Sequence, residues 1–242
     1  MSTSRSWAVA GLLALTSIGA LAQSTGPTVT GNLSLVSDYR FRGISQTDKK
    51  PALQGGFDFS HPSGFYLGNW NSNLDSAFYN GANLEMDFYG GFKTEVGGVG
   101  LDVGAIYYYY PGSGKGGTTK IDNTELYVGA TFGPATLKYS HATSDFFGAP
   151  NTKNSGYLDL SLAQDLGGGF GVNAHVGYQK VRNVPGAAGK ITDYKLGVTY
   201  DLSGFVLGAS YVGTNRDGIF FGPQSGKDLA KDTVVLSVLK SF

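Results

Sequence analysis

The chain has 242 residues, 18 basic and 18 acidic side chains, 38 glycines, no cysteine, and 13% aromatic against only 15% charged residues. The charge balance removes the electrostatic case for a nucleic-acid partner, and the lack of cysteine removes disulfides, thiolate metal ligands and cysteine nucleophiles. Charge this scarce beside glycine and aromatics this abundant departs from ordinary globular usage and suits many strands joined by tight turns.

At the N-terminus Arg5, the apolar run 7–15 and then Ala20-Leu21-Ala22 match a secretory signal peptide cleaved after Ala22, leaving residues 23–242 as a single domain. Beyond it no window approaches the length of a transmembrane helix. The first strand is expected over residues 29–42, where parity sorts the chain into two faces. Val29, Leu33, Leu35, Tyr39 and Phe41 fall on odd numbers, and Thr30, Asn32, Ser34, Asp38, Arg40 and Arg42 on even ones. This is long for a globular strand, whereas a strand tilted across a bilayer needs roughly 9–11 residues with one apolar face.

The same alternation picks out eleven more strands. The second spans 51–60, with Leu53, Phe57 and Phe59 outward; the third spans 65–74, where Asn69, Asn71 and Asn73 predict a polar inner face with Tyr66, Trp70 and Leu74 outside. Strands four (82–93), five (99–110), six (122–132) and seven (135–144) alternate cleanly, as Leu84, Met86 and Phe88 do against Asn83, Glu85 and Asp87. Strands eight (155–164), nine (170–181), ten (192–202), eleven (205–214) and twelve (231–242) complete the set.

Connections alternate between tight turns, at 61–64, 94–98, 133–134, 167–169 and 203–204, and longer polar loops, at 43–50, 75–81, 111–121, 145–154, 182–191 and 215–230. An even strand number with short turns at one end and long loops at the other predicts an all-β fold, a 12-stranded antiparallel up-and-down transmembrane barrel in a Gram-negative outer membrane with both termini periplasmic. Outward rings gather at both strand ends, as lipid–water interfaces require: Phe57, Phe59, Tyr66, Phe92, Phe132, Phe170, Tyr200, Phe205 and Phe242 at one, Tyr39, Phe41, Trp70, Tyr107, Tyr109, Tyr139, Tyr178, Tyr194 and Tyr211 at the other.

The run VSDYRFRGISQT, residues 36–47, continued by Pro51-Ala52-Leu53-Gln54-Gly55-Gly56 and by GFYLGNWNSN at 64–73, resembles the opening of the TorF-family porins. The similarity is dense over residues 31–92, and the alternating glycine-rich pattern continues to the end. The resemblance implies an outer-membrane β-barrel from a family of largely uncharacterised function, and it brings no catalytic or ligand residues. The end VVLSVLKSF, 234–242, looks like the terminal strand that barrel-assembly machinery reads through a final aromatic, here Phe242, although Lys240 departs from the usual apolar residue there.

Function is therefore expected in the lumen. The parity assignments turn in Asp38, Asp58, Glu85, Asp87, Asp102, Glu125, Asp159, Asp193 and Asp201 against Arg40, Arg42, Lys138 and Lys195, with His175 among them. Asp38, Arg40, Arg42, Asp58, Glu85, Asp87, Asp102, Glu125, Lys138, Asp159, His175 and Lys195 are the pore-lining candidates. The excess of acids predicts passive diffusion of small hydrophilic solutes with a mild cation preference, unless opposite charges pair and close the lumen.

Enzymatic chemistry is weakly signalled. His61 falls in a turn, His141 faces outward, and His175 with lumenal serines or Asp159 is the one imaginable catalytic group. GSGKGGTT, 112–119, lacks the spacing and following helix of a phosphate-cradling loop. Tyr107 and Tyr109 are expected in the outer girdle, with Tyr108 and Tyr110 lumenal. Asp145, Asp217 and Asp228 lack metal-ligand spacing, so no cofactor and no metal is expected. The expected partners are outer-membrane lipids, the assembly machinery and small solutes. The rival expectation is a closed barrel with a structural or surface-binding role.

Overall fold

The computed structural model describes residues 26–242; the expected signal peptide lies outside the described residues. Within them twelve strands close an antiparallel barrel: β1 (Thr28–Val36), β2 (Ala52–Ser60), β3 (Phe65–Asn73), β4 (Leu84–Val96), β5 (Val99–Tyr109), β6 (Asn123–Phe132), β7 (Ala135–Ala142), β8 (Gly156–Gly167), β9 (Phe170–Lys180), β10 (Lys190–Leu202), β11 (Phe205–Thr214) and β12 (Thr233–Ser241). Each strand pairs with its sequence neighbours, and β1 closes the ring on β12 from Asn32 opposite Ser241 to Val36 opposite Ser237. Closure leaves no free edge, which a sheet with an apolar outer face requires. Among the described residues no helix is long and apolar enough to cross a membrane.

Alternation decides which way each strand faces. Leu126, Val128 and Phe132 on β6, and Leu158, Leu160 and Leu162 on β8, are exposed on the outer wall, while Asn123, Glu125, Tyr127, Asp159 and Ser161 are buried inside. At the short-turn end Phe65 meets Phe92 at 5.1 Å and Phe170 meets Tyr200 at 4.7 Å. At the long-loop end Tyr107 stacks on Tyr109 and Tyr194 on Tyr211. Lys240 does point outward, and its ammonium lies 4.7 Å from the Phe205 ring at the short-turn rim, so it caps the apolar band instead of entering it.

The turn expected over 94–98 is tighter than the alternation suggested, because β4 runs on to Val96 and leaves Gly97 and Gly98 as the connection. Ser203-Gly204 is the two-residue turn expected. Both residues of each have positive φ, the geometry that matches the right-handed twist of the flanking strands.

Two expectations are overturned. The first strand stops at Val36, six residues early, and residues 37–51 turn inward, so Tyr39 and Phe41 belong to the lumen and not to the outer girdle. In β3 the parity is the reverse of the expected one. Phe65 and Leu67 are 61% and 64% exposed, Tyr66 is buried, and Trp70 and Leu74 pack against the lumenal core. The asparagines accordingly face out, and the physical reason is that neighbouring backbone satisfies their amides. Asn69 donates to the Asp87 carbonyl, Asn71 to Gly55 and Asn73 to Pro51, at 3.1, 3.2 and 3.4 Å. Inside, Tyr66 gains Asp102 and Ser72 gains Gln54, partners the outer wall does not offer.

Candidate functional site

The long-loop mouth of the barrel is filled by the loop that follows β1. Ser37 still holds the Leu236 backbone of β12, with both bonds at 2.9 Å, and then the chain leaves the wall. Asp38 accepts Arg40 Nε at 2.7 Å, Ser45 Oγ at 2.6 Å and Thr47 Oγ1 at 3.3 Å, so one buried carboxylate staples both limbs of a small hairpin, Arg40–Phe41 against Ile44–Ser45. The tip residues Arg42 and Gly43 have φ of 46° and 80°, and Gly43 lies so close to the β10–β11 wall that a methyl there would sit 2.3 Å from Thr214 Cγ2.

Arg42 carries the hairpin across the lumen. Its Nη2 meets Glu125 Oε2 on β6 at 2.7 Å and its Nη1 donates to Gln179 Oε1 on β9; the guanidinium centre lies 4.2 Å from the Tyr157 ring of β8 and 4.8 Å from Phe41. All of these polar groups are buried, Arg42 at 4% exposure and Glu125 at 1%. Around them lies an aromatic cluster in which Tyr39 meets Trp70 edge-on at 5.5 Å, Phe41 meets Tyr108 at 5.7 Å, and Phe147, from the loop after β7, meets Phe41 at 5.7 Å. The rings exclude water from the Arg42–Glu125 pair, which strengthens it and makes leaving either partner alone costly.

The last long loop locks this plug from above. Ser45 N–H donates to the Leu229 carbonyl at 2.9 Å, and Arg40 Nη1 donates to the carbonyls of Leu229 and Lys231. Asp48 accepts the Ser225 hydroxyl and pairs with Lys50 at 3.3 Å and Lys227 at 3.6 Å. Burial alone would raise the Asp48 pKa, but those hydrogen bonds and lysine charges outweigh it and hold the carboxylate below the usual aspartate range.

Deeper in the lumen, His175 on β9 sits between two carboxylates, with Nδ1 2.8 Å from Asp159 and Nε2 3.5 Å from Asp193, and Tyr157 also donates to Asp193. Lys195 lies opposite His175 on β10. Toward the short-turn end Tyr66 donates to Asp102 at 2.6 Å, Tyr89 to Asp58 at 2.7 Å, and Lys138 stands 3.9 Å over the Tyr127 ring. Tyr127 itself lies across Gly104, where a methyl would be 2.5 Å from its hydroxyl. Glu85 and Asp87 on β4 are each 1% exposed; Glu85 accepts Tyr110 at 2.8 Å, and neither carboxylate forms an ion pair among the described residues.

All twelve residues singled out from the sequence thus lie inside the barrel or in its plug, although Asp38, Arg40 and Arg42 reach it from a loop and not from a strand. The alternation missed Tyr39, Phe41, Asp48 and Phe147, which build the plug, and Tyr157, which receives it together with Gln179, a residue on the expected inner face of β9. A signal was present: two arginines ending in Arg42-Gly43, a pair disfavoured in a strand, followed by Ser, Thr and Asp able to bond local backbone. Of the other groups weighed, Asp145 and Asp228 hold loop backbone N–H groups, and Gly112, Lys115 and Thr118 line an open depression at the long-loop end with Asn80 and Asn83. Ser161 donates to Asp159 and not to the His175 ring, so serine and imidazole are not aligned as nucleophile and base.

Solved structures share this architecture. A KdgM porin in complex with disordered oligogalacturonate superposes with a TM-score of 0.56 at 8% identity, covering 88% of this chain and 98% of that one. A NanC porin gives the same TM-score at 9% identity with the same coverage. At such identities the likeness is one of fold. No curated protein matches the sequence. Residues 20–242 match the model of a family described as bacterial protein of unknown function (Gcw_chp), and the chain belongs to that family.

Proposed function

We propose that the protein is an outer-membrane porin admitting small hydrophilic solutes, with the short turns and both termini periplasmic and the plugged mouth external. The observation that carries the reading is the combination of an apolar outer wall, ringed by aromatics at both ends, with a lumen of charged side chains. The fold likeness to two porins supports it, as does the resemblance of residues 36–47 to TorF-family porins. Outer-membrane lipids would contact the wall, and Phe242 would present the terminal strand to the assembly machinery.

The solute class follows from the charges left after internal pairing. Arg40 is committed to Asp38 and Arg42 to Glu125, whereas Asp58 and Asp102, toward the short-turn end, form no ion pair among the described residues. The KdgM structure holds an acidic sugar chain; this lumen, with its excess of carboxylates, suits neutral or cationic solutes better. Planar-bilayer recording tests the reading: purified folded protein should give discrete conductance, with a reversal potential across a salt gradient on the cation side. Anion preference would remove the selectivity reading.

The plug favours a second reading, a closed barrel with a structural or surface-binding role, because Tyr39, Phe41, Tyr108 and Phe147 pack the mouth tightly. Folded protein that never conducts, even after the plug is loosened, would establish it. An enzyme reading has no comparable support, since His175 is held by two carboxylates and the Ser161 hydroxyl donates to Asp159 and not to the imidazole.

A further inference from the structure

Three oxygens on the β4 side of the plug are buried and without a hydrogen-bond partner: Glu85 Oε2, Asp87 Oδ1 and the Tyr39 hydroxyl. Glu85 and Asp87 are two apart on β4 and so share its inner face, and Tyr39 comes from the plug, edge-on against Trp70, the residue directly opposite Asp87. Glu85 receives the Tyr110 hydroxyl at Oε1, the Tyr39 hydroxyl lies beside the carboxylate, and among the described residues no cationic side chain reaches its other oxygen. Burying two carboxylates without a counter-charge costs several kcal/mol per ion. The nearby guanidiniums do not relieve it, because Arg40 is bonded to Asp38 and Arg42 to Glu125. Protons shared within the pair would give a carboxyl–carboxylate hydrogen bond, and the two side chains make none. A carboxylic acid at Asp87 would need an acceptor, and its Oδ1 has no partner.

We propose that Glu85, Asp87 and the Tyr39 hydroxyl form a binding site for a hard divalent cation of the calcium type, which neutralises the pair and ties the plug to β4. Two formal negative charges call for a divalent ion, and donors that are all oxygen select hard cations over zinc or copper. Oxygen coordination of calcium is flexible in number, so carboxylate chelation with bound water can complete the shell. Among the described residues no group of three or more His, Cys, Asp or Glu side chains is gathered for a metal. With two carboxylates only, affinity should be modest, with Kd on the order of 10⁻⁴–10⁻³ M. The site does not depend on conduction, so its failure and that of the porin reading are separate outcomes.

The test uses terbium(III) as the calcium probe on the full folded chain in detergent, reading luminescence sensitised by the tyrosines around the site. Saturable emission displaced by Ca²⁺ is expected, weakened at least tenfold in the isosteric Glu85→Gln, Asp87→Asn double variant. Tyr39→Phe keeps both acids and should weaken binding several-fold with unchanged heat-modifiable migration, which guards against a variant that merely misfolds. Absent emission, or saturable emission indifferent to all three substitutions, would overturn the site. So would an infrared carboxylic-acid band at neutral pH that persists in excess Ca²⁺ and vanishes in the double variant, because the acids would then hold protons.

Discussion

Replacing Arg42 with alanine removes the one side chain that spans from the plug to the opposite wall. In the docked state Glu125 would keep only Asn123, whose Nδ2 donates to Oε1 at 3.3 Å, while its Oε2 would lose a 2.7 Å charge-assisted bond. Breaking a buried ion pair from one side costs about 3–5 kcal/mol, chiefly through the charge left behind, and lost contact with the Tyr157 and Phe41 rings adds roughly 0.5–2 kcal/mol. Undocking hydrates Glu125, so this cost falls on the docked state and should shift the docking equilibrium about 10³–10⁵-fold toward the open mouth. Two assays follow it: the fraction of time spent in the highest conductance level, and the rate at which proteinase K cuts residues 37–51. Both should rise. Adding Glu125→Gln removes the stranded charge and should restore part of the docking, a sign that a mere packing defect would not give. An Arg42→Ala protein whose traces and cleavage rate match the wild type would refute the idea that this residue holds the plug.

Gly43→Ala should loosen the plug in the same direction, since left-handed φ costs a non-glycine residue roughly 1–2 kcal/mol and the methyl collides with Thr214; unchanged loop cleavage would count against the docked hairpin. Acidification should release the clamp between the first and last long loops. The Asp48 pKa is depressed by folding, so its contribution is fully present above the unfolded aspartate value of about 3.9 and is lost as pH falls through the lower folded value. Proteolysis of residues 215–230 as a function of pH reads this, and Asp48→Asn should flatten the profile. On β3, Asn71→Leu should fold with stability within about 1.5 kcal/mol of wild type, because it faces outward and loses only hydrogen bonds to Gly55 and Asn69. Ser72→Leu, forced into the packed lumen, should cost about 1–3 kcal/mol. Equal effects in heat-modifiability titrations would argue for the opposite parity.

Alternation located eleven strands closely because each strand touches two very different surroundings, an apolar exterior and a polar interior, and residue type follows surroundings. It failed at β3 because asparagine does not obey that rule when a backbone carbonyl lies beside it. Asn69, Asn71 and Asn73 are polar by composition yet occupy the outer wall with their amides bonded to adjacent strands. Tyr66 is amphipathic in the other sense, its ring lying along the inner wall over Gly91 of β4 and its hydroxyl ending on Asp102 of β5. The exposed Phe65 and Leu67 were the better guides, since no lumenal partner competes for a purely apolar side chain. The identity of most lumenal charges was equally legible, but their pairing was not. Which carboxylate meets Arg42 depends on a loop crossing the barrel, and periodicity along a strand holds no information about that.

The plug explains why the first fourteen-residue alternation misleads. From Val29 to Val36 the pattern answers to outer-wall and lumen-side surroundings; from Asp38 to Thr47 each residue answers to a different neighbour. Asp38 closes the hairpin, Tyr39 and Phe41 enter the aromatic cluster, Arg42 reaches Glu125, Gly43 passes Thr214, and Ser45 bonds the last loop. Residues 36–47, the first run of the family resemblance, are therefore the plug, whereas its continuations at 51–56 and 64–73 fall largely in the wall strands β2 and β3. A barrel wall tolerates any outward apolar residue, whereas this segment needs particular side chains at fixed spacing, because several independent contacts must form together for it to stay docked. On the porin reading proposed above, a solute would clear this mouth only after Arg42 leaves its buried pair with Glu125.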